Sequence, residues 1–520
     1  MRETREFAWS LLARPLCTGR TGSGVPAVCL RGFVAMTWLV VLLLSGTRAA
    51  IAAPAAPAAP AAPADMPRNF VFILIDDLGW ADLSCSGSTF HETPHLDRLA
   101  ASGLRFTHAL AACPVCSPTR ASILTGRHPV RVGITDWIPG NRTEADSGHR
   151  FLQVIDRDSL ALEETTLAEV LRDAGYQTFF AGKWHLGSTG ALPTDQGFDV
   201  NLGGAAYGQP PAGYFAPWKN PFLRERRTGE YLTERITEEC TGFLQTRDRN
   251  RPFLLYLAHY DVHTPIHAAP RHIERFRRKR ESFGAAPEPL AERRGLSNPR
   301  QDNAQYASMV AAIDESVGRI MNELEAQGLL QSTTVVFTSD NGGLCTLKRP
   351  GPTSNLPLRS GKGWLYEGGI RVPLIVASPD ITAPGRVCSD PVLSTDYFPT
   401  FLDLAGLPAR PDLAVDGQSF TAALKNQPLA QQRPLAWHYP HYHGSEWTPG
   451  AAFRDGDWKL IEFYEDGDAE LYHLGRDPGE QQNLAIAEPD QFQRMRAALA
   501  AWQKSIGAVM PEENPQWKQP

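Results

Sequence analysis

Apolar residues run without a break through NFVFILIDD, Asn69 to Asp77, and stop at two aspartates. A strand wetted on one side alternates apolar and polar residues. A continuous run rich in β-branched and aromatic side chains predicts a strand buried on both faces, as in a parallel sheet. The period then changes. In TPHLDRLAASGLRF, Leu96, Leu99 and Leu104, with Gly103 near the end, suit a short helix and its stop. TTLAEVLRDAGYQTFFAGKWH repeats the pair, with Leu167, Val170 and Leu171 on one helix face, then Gly175, then a strand ending near Ala181. Phe253 to Ala258 is another buried strand. AQYASMVAAIDESVGRIMNELEAQGLL is a long amphipathic helix stopped by Gly328, and TTVVFTSDN is a strand again. Strands and helices in alternation predict an α/β fold with a large, mostly parallel sheet sandwiched by helices.

After about Gln418 the texture shifts. DWKLIEFYEDGDAELYHL reads as two strands joined by a turn at Asp466-Gly467-Asp468, and a helix follows from roughly Asp490 to Ser505. The expected layout is a main α/β domain over 66–417 and a smaller C-terminal subdomain, antiparallel sheet plus helix, over 418–520. Ahead of both, Arg20 and Arg31 precede the apolar run Phe33 to Gly46, and Ala50-Ile51-Ala52 has the small-x-small form of a cleavage site. That order predicts a secretory signal over 1–52. Its apolar run is shorter than the ~20 residues a spanning helix needs, so no stable membrane span is expected. The protein is expected to be exported, either periplasmic or secreted. The Ala/Pro stretch at 53–65 reads as a stiff linker.

Composition narrows the function classes. A net charge of -6 with 21% charged residues gives no reason to expect nucleic-acid binding by bulk electrostatics. One segment, Arg271 to Gly295, is strongly basic and reads either as a solvated helix and loop or as a cationic rim for an anionic polymer. Of the eight cysteines, Cys17 and Cys29 precede the expected cleavage site, and the remaining ones are too scattered for a disulfide framework. Cys113 and Cys116 form C-x-x-C, but no second pair at similar spacing completes a zinc site. As a redox pair they would leave the polar residues described next without a use.

Those residues follow the strands. The first predicted strand ends in Asp76 and Asp77, the one near Phe180 in Lys183 and His185, the one near Leu255 in His259 and His263, and the one near Phe337 in Asp340 and Asn341. Ligands of open parallel sheets bind at the carboxyl ends of strands. A strand-ending aspartate is commonly a helix cap and a lone histidine is commonly structural, but together these put carboxylates, a carboxamide, a lysine and histidines on one edge. The oxygen donors Asp76, Asp77, Asp340 and Asn341 suit Ca²⁺ or Mg²⁺ rather than zinc. Clustered carboxylates without a cation repel one another. After Cys116, SPTRASILTGR reads as a helix start, with Ser117 expected as the cap, Pro118 in the first turn and Arg120 one turn on. A thiol at a helix N-terminus is expected to be acidified, in a place suited to binding an oxyanion.

CSPTRASILTGR (Cys116 to Arg127) and GKWHLG (Gly182 to Gly187) resemble the two signatures of the type I, formylglycine-dependent sulfatases, the arylsulfatase-like branch of the alkaline-phosphatase superfamily. NFVFILIDDLGWADL, the HTP at His263, the SDNGG at Asp340 and GKGWLYEGGIRVP around Lys362 resemble the same family in the same order, from about Pro67 to Pro373. His95 in TPHLD departs from the family's usual Asn, outside the expected site. The resemblance implies hydrolysis of sulfate esters by a catalytic domain over 66–417. It implies that a maturation enzyme reads C-x-P-x-R and oxidises Cys116 to formylglycine, whose hydrate attacks sulfur to give a covalent enzyme-sulfate. It implies one Ca²⁺ ion on Asp76, Asp77, Asp340, Asn341 and residue 116. Lys183 and Lys362 would bind sulfate oxygens, Arg120 would hold the hydrate, His263 would protonate the leaving alcohol and His185 would accept the proton that releases sulfate. The expected substrate is a sulfated glycan, glycosaminoglycan-type included, or a small sulfate ester. The aromatic and histidine-rich Trp437 to Trp447 reads either as a sugar-binding wall or as packing between subdomains. A phosphonate or phosphodiester hydrolase of the same superfamily and a non-catalytic glycan-binding relative are the alternatives.

Overall fold

The computed structural model describes residues 68–140, 148–429 and 432–518. The expected signal and linker lie outside them. The first apolar run is strand β1, Asn69–Ile75, and all of it is buried. Its side chains alternate between two cores. Phe70, Phe72 and Leu74 enter one, and Val71, Ile73 and Ile75 enter the other. This is why the run shows no polar alternation.

Eight further strands share its sheet: β2 Leu104–Leu110, β3 Gln177–Gly182, β4 Val200–Leu202, β5 Phe253–Ala258, β6 Thr333–Ser339, β7 Arg371–Ala377, β8 Arg386–Cys388 and β9 Val392–Leu393. The order is β8-β2-β7-β6-β1-β5-β3-β4, with β9 also on β2. Strand β7 runs antiparallel to both neighbours. The other pairings are parallel. The expected mostly parallel α/β sandwich is therefore the observed one. Helices Cys116–Thr125, Leu167–Asp173 and Tyr397–Leu404 cover the Phe70 face. Helices Pro94–Ser102, Leu232–Thr246 and Ala304–Ala326 cover the Val71 face. The last of these is held at its start by Asn303, whose side chain accepts from the Gln305 and Tyr306 N–H groups, and Gly328 just beyond its end has φ 69°.

Strands β10 Leu435–Tyr439, β11 Gly450–Asp455, β12 Trp458–Phe463 and β13 Asp468–His473 form a separate antiparallel meander. Its last turn falls where Asp466-Gly467-Asp468 predicts it. One face packs Phe453, Leu460 and Leu471 against Met495 and Leu499 of the helix Pro489–Ile506. The other face packs Trp437, Tyr439, Ile461 and Phe463 against Trp364 and Tyr366, in the segment just before β7. A buried ion cluster crosses the same seam. Lys459 Nζ lies 2.9 Å from Glu367 Oε1 and 2.8 Å from Glu480 Oε1. No helix among the described residues is long and apolar enough to cross a membrane.

Gly182 closes β3 at φ 109°, and a Cβ there would sit 1.8 Å from the Ala258 carbonyl oxygen on the neighbouring strand. Only glycine fits this approach. Gly182→Ala is expected to lower unfolding free energy by roughly 2–4 kcal/mol. Urea unfolding of the two proteins checks this, and an unchanged midpoint would show that the strands are not held this tightly.

Candidate active site

The sheet register lines up the polar strand ends. Ile75 pairs with Ser339, Leu74 with Ala258, and Ala258 with Gly182. Backbone pairing continues one residue further, with Asp340 N–H donating to Ile75 O (3.1 Å), His259 N–H to Leu74 O (2.9 Å) and Lys183 N–H to Ala258 O (2.8 Å). Asp76, His259, Lys183 and Asp340 therefore emerge side by side. Asp77 follows in a left-handed conformation, φ 60°, as does His185, also φ 60°. Non-glycine residues held in this region are rare and strained, and such strain gathers at functional sites.

Cys116 reaches the same corner from the end of β2. It is the first helical residue. The N-cap is Val115, which has no side-chain cap bond, and not Ser117. The Ser117 hydroxyl instead accepts from the Ile138 N–H at 3.0 Å, which ties down the loop that follows. Cys116 Sγ lies 3.4 Å from Asp76 Oδ1 and 3.6 Å from Lys362 Nζ. The expected acidification is not found. Burial, aided by the Asp76 and Asp340 carboxylates, pushes the thiol well above its ordinary value against the pull of Lys183 and Lys362. A helix N-terminus and two ammonium groups do not offset complete desolvation. Cys113 is buried, and like every cysteine among the described residues it forms no disulfide.

Each carboxylate has a cation. Lys183 Nζ lies 2.6 Å from Asp76 Oδ2. Lys362 Nζ lies 2.8 Å from Asp77 Oδ1. Arg120 places Nε 2.9 Å and Nη2 2.8 Å from Asp340 Oδ2, and its Nη1 donates to Lys183 O at 2.8 Å. The balance differs between neighbours. Burial wins at Asp76 and pushes its carboxyl up to about 8. At Asp77 burial acts the same way, but Lys362, His263 and Lys183 together outweigh it and hold the group low. The carboxylate oxygens of the corner suit a hard divalent cation, while the thiol and imidazole beside them are softer donors. Asp76, Asp77, Cys116 and His263 each offer a ligand atom, all within 4.8 Å of one another. Asn341 donates through Nδ2 to Asp77 Oδ1 (2.8 Å) and Gly342 O (3.1 Å), which leaves its buried Oδ1 without a hydrogen-bond partner. A buried, unpaired carboxamide oxygen beside two carboxylates suits a cation that prefers oxygen.

A cavity of about 790 Å³ opens over these groups, lined by Cys116, Lys362, His185, His263, Trp137 and Tyr207 among others. That is within the range of small-molecule sites. The backbone dictates where its histidines carry protons. A carbonyl only accepts, so His185 donates from Nε2 to Ile138 O (2.5 Å) and its buried Nδ1 is left a bare, unpartnered acceptor. His263 donates from Nδ1 to Thr264 O (2.7 Å), leaving a bare Nε2 that lies 3.8 Å from Asp77 Oδ2. Burial, with Lys362 adding to it, lowers His263 to about 3. Burial and Lys183 lower His185 as well.

The family model described as Sulfatase matches residues 68–407. The chain belongs to the sulfatase family. A second model, described as N-sulphoglucosamine sulphohydrolase, C-terminal, matches residues 360–505 of this sulfatase, the stretch holding the small sheet. N-acetylgalactosamine-6-sulfatase of Mus musculus is 32% identical over 501 residues, covering 87% of this chain and 89% of the relative. Arylsulfatase A of Homo sapiens is 33% identical over 491 residues, covering 83% and 86%. Among solved structures, BT4656 in complex with its substrate D-glucosamine-2-N,6-O-disulfate superposes with a TM-score of 0.68 at 25% identity, covering 87% of this chain and all 100% of that one. The chain is thus a sulfuric ester hydrolase.

In this sulfatase the structure brings Asp76, Asp77, Cys116, Arg120, Lys183, His185, His263, Asp340, Asn341 and Lys362 to one corner. It leaves His259 out, since its Nε2 meets Ser316 Oγ at 2.9 Å in the buried layer behind the sheet. The basic segment is largely neutralised by neighbouring carboxylates, as in the solvated-helix reading. Arg271, Arg275, Arg277, Lys279 and Arg280 are each ion-paired with Glu315, Glu92, Glu274, Glu92 and Asp302. Most of Trp437 to Trp447 is packing. Trp437 Nε1 donates to Ala111 O, Tyr439 hydroxyl to Asp136, and Thr135 Oγ1 pairs with His441 Nε2. Sequence reasoning did not single out Trp137, Asp158 or Tyr207, which line the cavity from loops without a motif. An aromatic in a Gly/Pro-rich loop after a strand end was the one signal available.

The buried Arg120 pair and the more exposed Arg131–Asp416 pair, 3.0 Å apart, give a test of this electrostatic arrangement. Arg120→Met, which strands buried carboxylate, is expected to cost about 3–5 kcal/mol of stability. Arg131→Met is expected to cost less than about 1 kcal/mol. Thermal unfolding of both variants reads the difference, and equal costs would contradict the pairing.

Proposed function

We propose that this sulfatase hydrolyses sulfate esters of carbohydrates, that residue 116 acts after oxidation from cysteine to formylglycine, and that the ion held beside it is calcium. One observation carries the reading: Cys116 Sγ lies at the cavity wall, within 3.4 Å of Asp76 and 3.6 Å of Lys362. A neutral, buried thiol in that place is a poor nucleophile. Hydrated formylglycine supplies one hydroxyl that attacks sulfur and a second whose deprotonation expels sulfate and restores the aldehyde. Calcium on Asp76, Asp77, Asp340, Asn341 and residue 116 would lessen the repulsion between an anionic ester and its nucleophile.

The chain's own residues complete the reaction. Lys183 and Lys362 bind sulfate oxygens and neutralise charge that develops in the transition state. Arg120 orients the nucleophile from its anchored place on Asp340. His185 takes the proton of the second hydroxyl at its bare Nδ1. His263 gives a proton to the leaving alcohol, which it must first acquire at Nε2; an anionic ester beside it raises its proton affinity. The sugar class is supported by the names of relatives that act on sulfated sugars and by a cavity of small-molecule size. Cys116 to Arg120 is buried throughout, so the maturation enzyme would have to act before the chain folds. The apolar run at Phe33 to Gly46 supports export before or during that step.

The test is mass spectrometry of the tryptic peptide Phe106 to Arg120 from protein made in its own host, with sulfate release measured on the same sample. The expected result is an aldehyde in place of the thiol and turnover of sulfated sugars. A fully intact thiol would sink the nucleophile assignment. Faster phosphate-ester than sulfate-ester turnover would instead favour a phosphonate or phosphodiester hydrolase. Cys116→Ala is expected to abolish turnover. Lys362→Ala is expected to lower kcat by about 10²–10³-fold with the fold intact. Asp340→Ala is expected to lose bound calcium, by elemental analysis, together with activity.

A further inference from the structure

One member of the Trp437–Trp447 segment behaves unlike the rest. His443 is half-buried and lines the same cavity as Cys116, Lys362 and His263. It comes from the loop between β10 and β11 of the small sheet, whereas those three precede β7. Its ring is fixed. The Ser445 N–H donates to His443 Nδ1 at 3.2 Å, and the Ser445 hydroxyl lies 2.8 Å from the same atom. Ser445 is itself held through its carbonyl by the buried Trp364 Nε1 at 2.7 Å. The ring also lies against Gly363, where a Cβ would come within 2.2 Å of His443 Nδ1. The residue after Lys362 thus has to be glycine for the imidazole to occupy this place.

A backbone N–H cannot accept, so Nδ1 is the lone-pair nitrogen and the proton of the neutral ring sits on Nε2. Burial and the Lys362 ammonium favour that neutral form and lower the group to about 3. Among the described residues no protein atom hydrogen-bonds Nε2. Of the histidines that line the cavity, His185 and His263 thus keep a bare ring nitrogen, and His443 keeps a ring N–H on an imidazole of fixed orientation. The aromatic side chains Trp137 and Tyr207 line the cavity as well.

We propose that His443 is a substrate-contacting specificity residue that donates its Nε2–H to an oxygen of the sulfated sugar. The inference rests on the carbohydrate-sulfate reading above. It assigns selection of the sugar to the C-terminal sheet, while the reacting groups belong to the large one. A site built to hydrogen-bond a substrate hydroxyl rejects compounds that lack it far better than an apolar wall does.

The test compares 4-nitrophenyl sulfate with a panel of monosulfated hexoses and N-acetylhexosamines. In His443→Ala, the kcat/KM ratio of the best sugar over the aryl ester is expected to fall about tenfold or more, mainly through KM. His443→Gln keeps an N–H donor and is expected to recover part of the loss. Equal losses on both substrates, as a purely structural role would give, overturn the proposal, as does no loss on either. If the alanine variant does not fold, His443→Gln and His443→Asn decide. The shorter amide is expected to lose selectivity and the longer to keep part of it; matching behaviour counts against the contact. Wild-type protein that releases sulfate from neither class of probe ends the sulfatase reading itself. Release from the aryl ester but from no sugar ends the carbohydrate reading and this inference with it, whereas sugar turnover by wild type that His443→Ala leaves unchanged overturns this inference alone.

Discussion

Three carboxylates lie together in a buried corner, and the fold is organised around the cations that make this tolerable. An unpaired buried charge costs several kcal/mol, so Asp76, Asp77 and Asp340 each need a partner at hydrogen-bond distance. The partners come from separate stretches: Lys183 from the end of β3, Lys362 from the approach to β7, and Arg120 from the helix after β2. Each pair joins segments far apart in sequence across the carboxyl edge of one sheet. The electrostatic demand of the corner and the topology of the sheet are therefore one requirement. Moving any of these strands would leave a carboxylate alone in a place without water.

Proton positions are set by main chain rather than by side-chain relays. The Ile138 and Thr264 carbonyls and the Ser445 N–H each select one tautomer at His185, His263 and His443. Two rings present lone pairs and the third presents a hydrogen. A carbonyl or amide in a folded loop cannot titrate, so this arrangement does not drift with the protonation of neighbours.

Much of the fold could be read from periodicity. Asn69–Ile75 and Phe253–Ala258 are continuous apolar runs because each is buried on both faces, and their polar ends follow from the general behaviour of parallel sheets. The reversal of β7 could not be read, because RVPLIVA is apolar in either direction. Lys362 accordingly meets the corner by preceding its strand, where Asp76, Lys183 and Asp340 follow theirs. Ser117 resembles a cap because serine usually is one, yet the cap is Val115 and the helix starts two residues earlier than that reading implies, at Cys116. The thiol was expected to be acidic from its place at a helix end, but sequence does not reveal burial, and burial dominates. The cavity walls were least legible. Trp137 and Tyr207 lie in loops whose position depends on packing far from their own neighbours in sequence, whereas His443 falls in the aromatic and histidine-rich segment for which a sugar-binding wall is one of the two readings.

The small sheet is fastened to the large one by a shared aromatic core and by Lys459, held between Glu367 and Glu480. Strand faces supply part of those contacts, through Trp437, Tyr439, Lys459, Ile461 and Phe463, and loops supply the rest, through Trp364, Tyr366 and Trp447. The loop that carries His443 projects from the strand ends. That loop is also part of the seam, since Trp447 belongs to the aromatic core and the Ser445 carbonyl accepts from Trp364 Nε1. The ten residues between Tyr439 and Gly450 thus help to fasten the two sheets and also supply one wall of the cavity, so the shape of the pocket cannot be altered there without regard to how the sheets are joined.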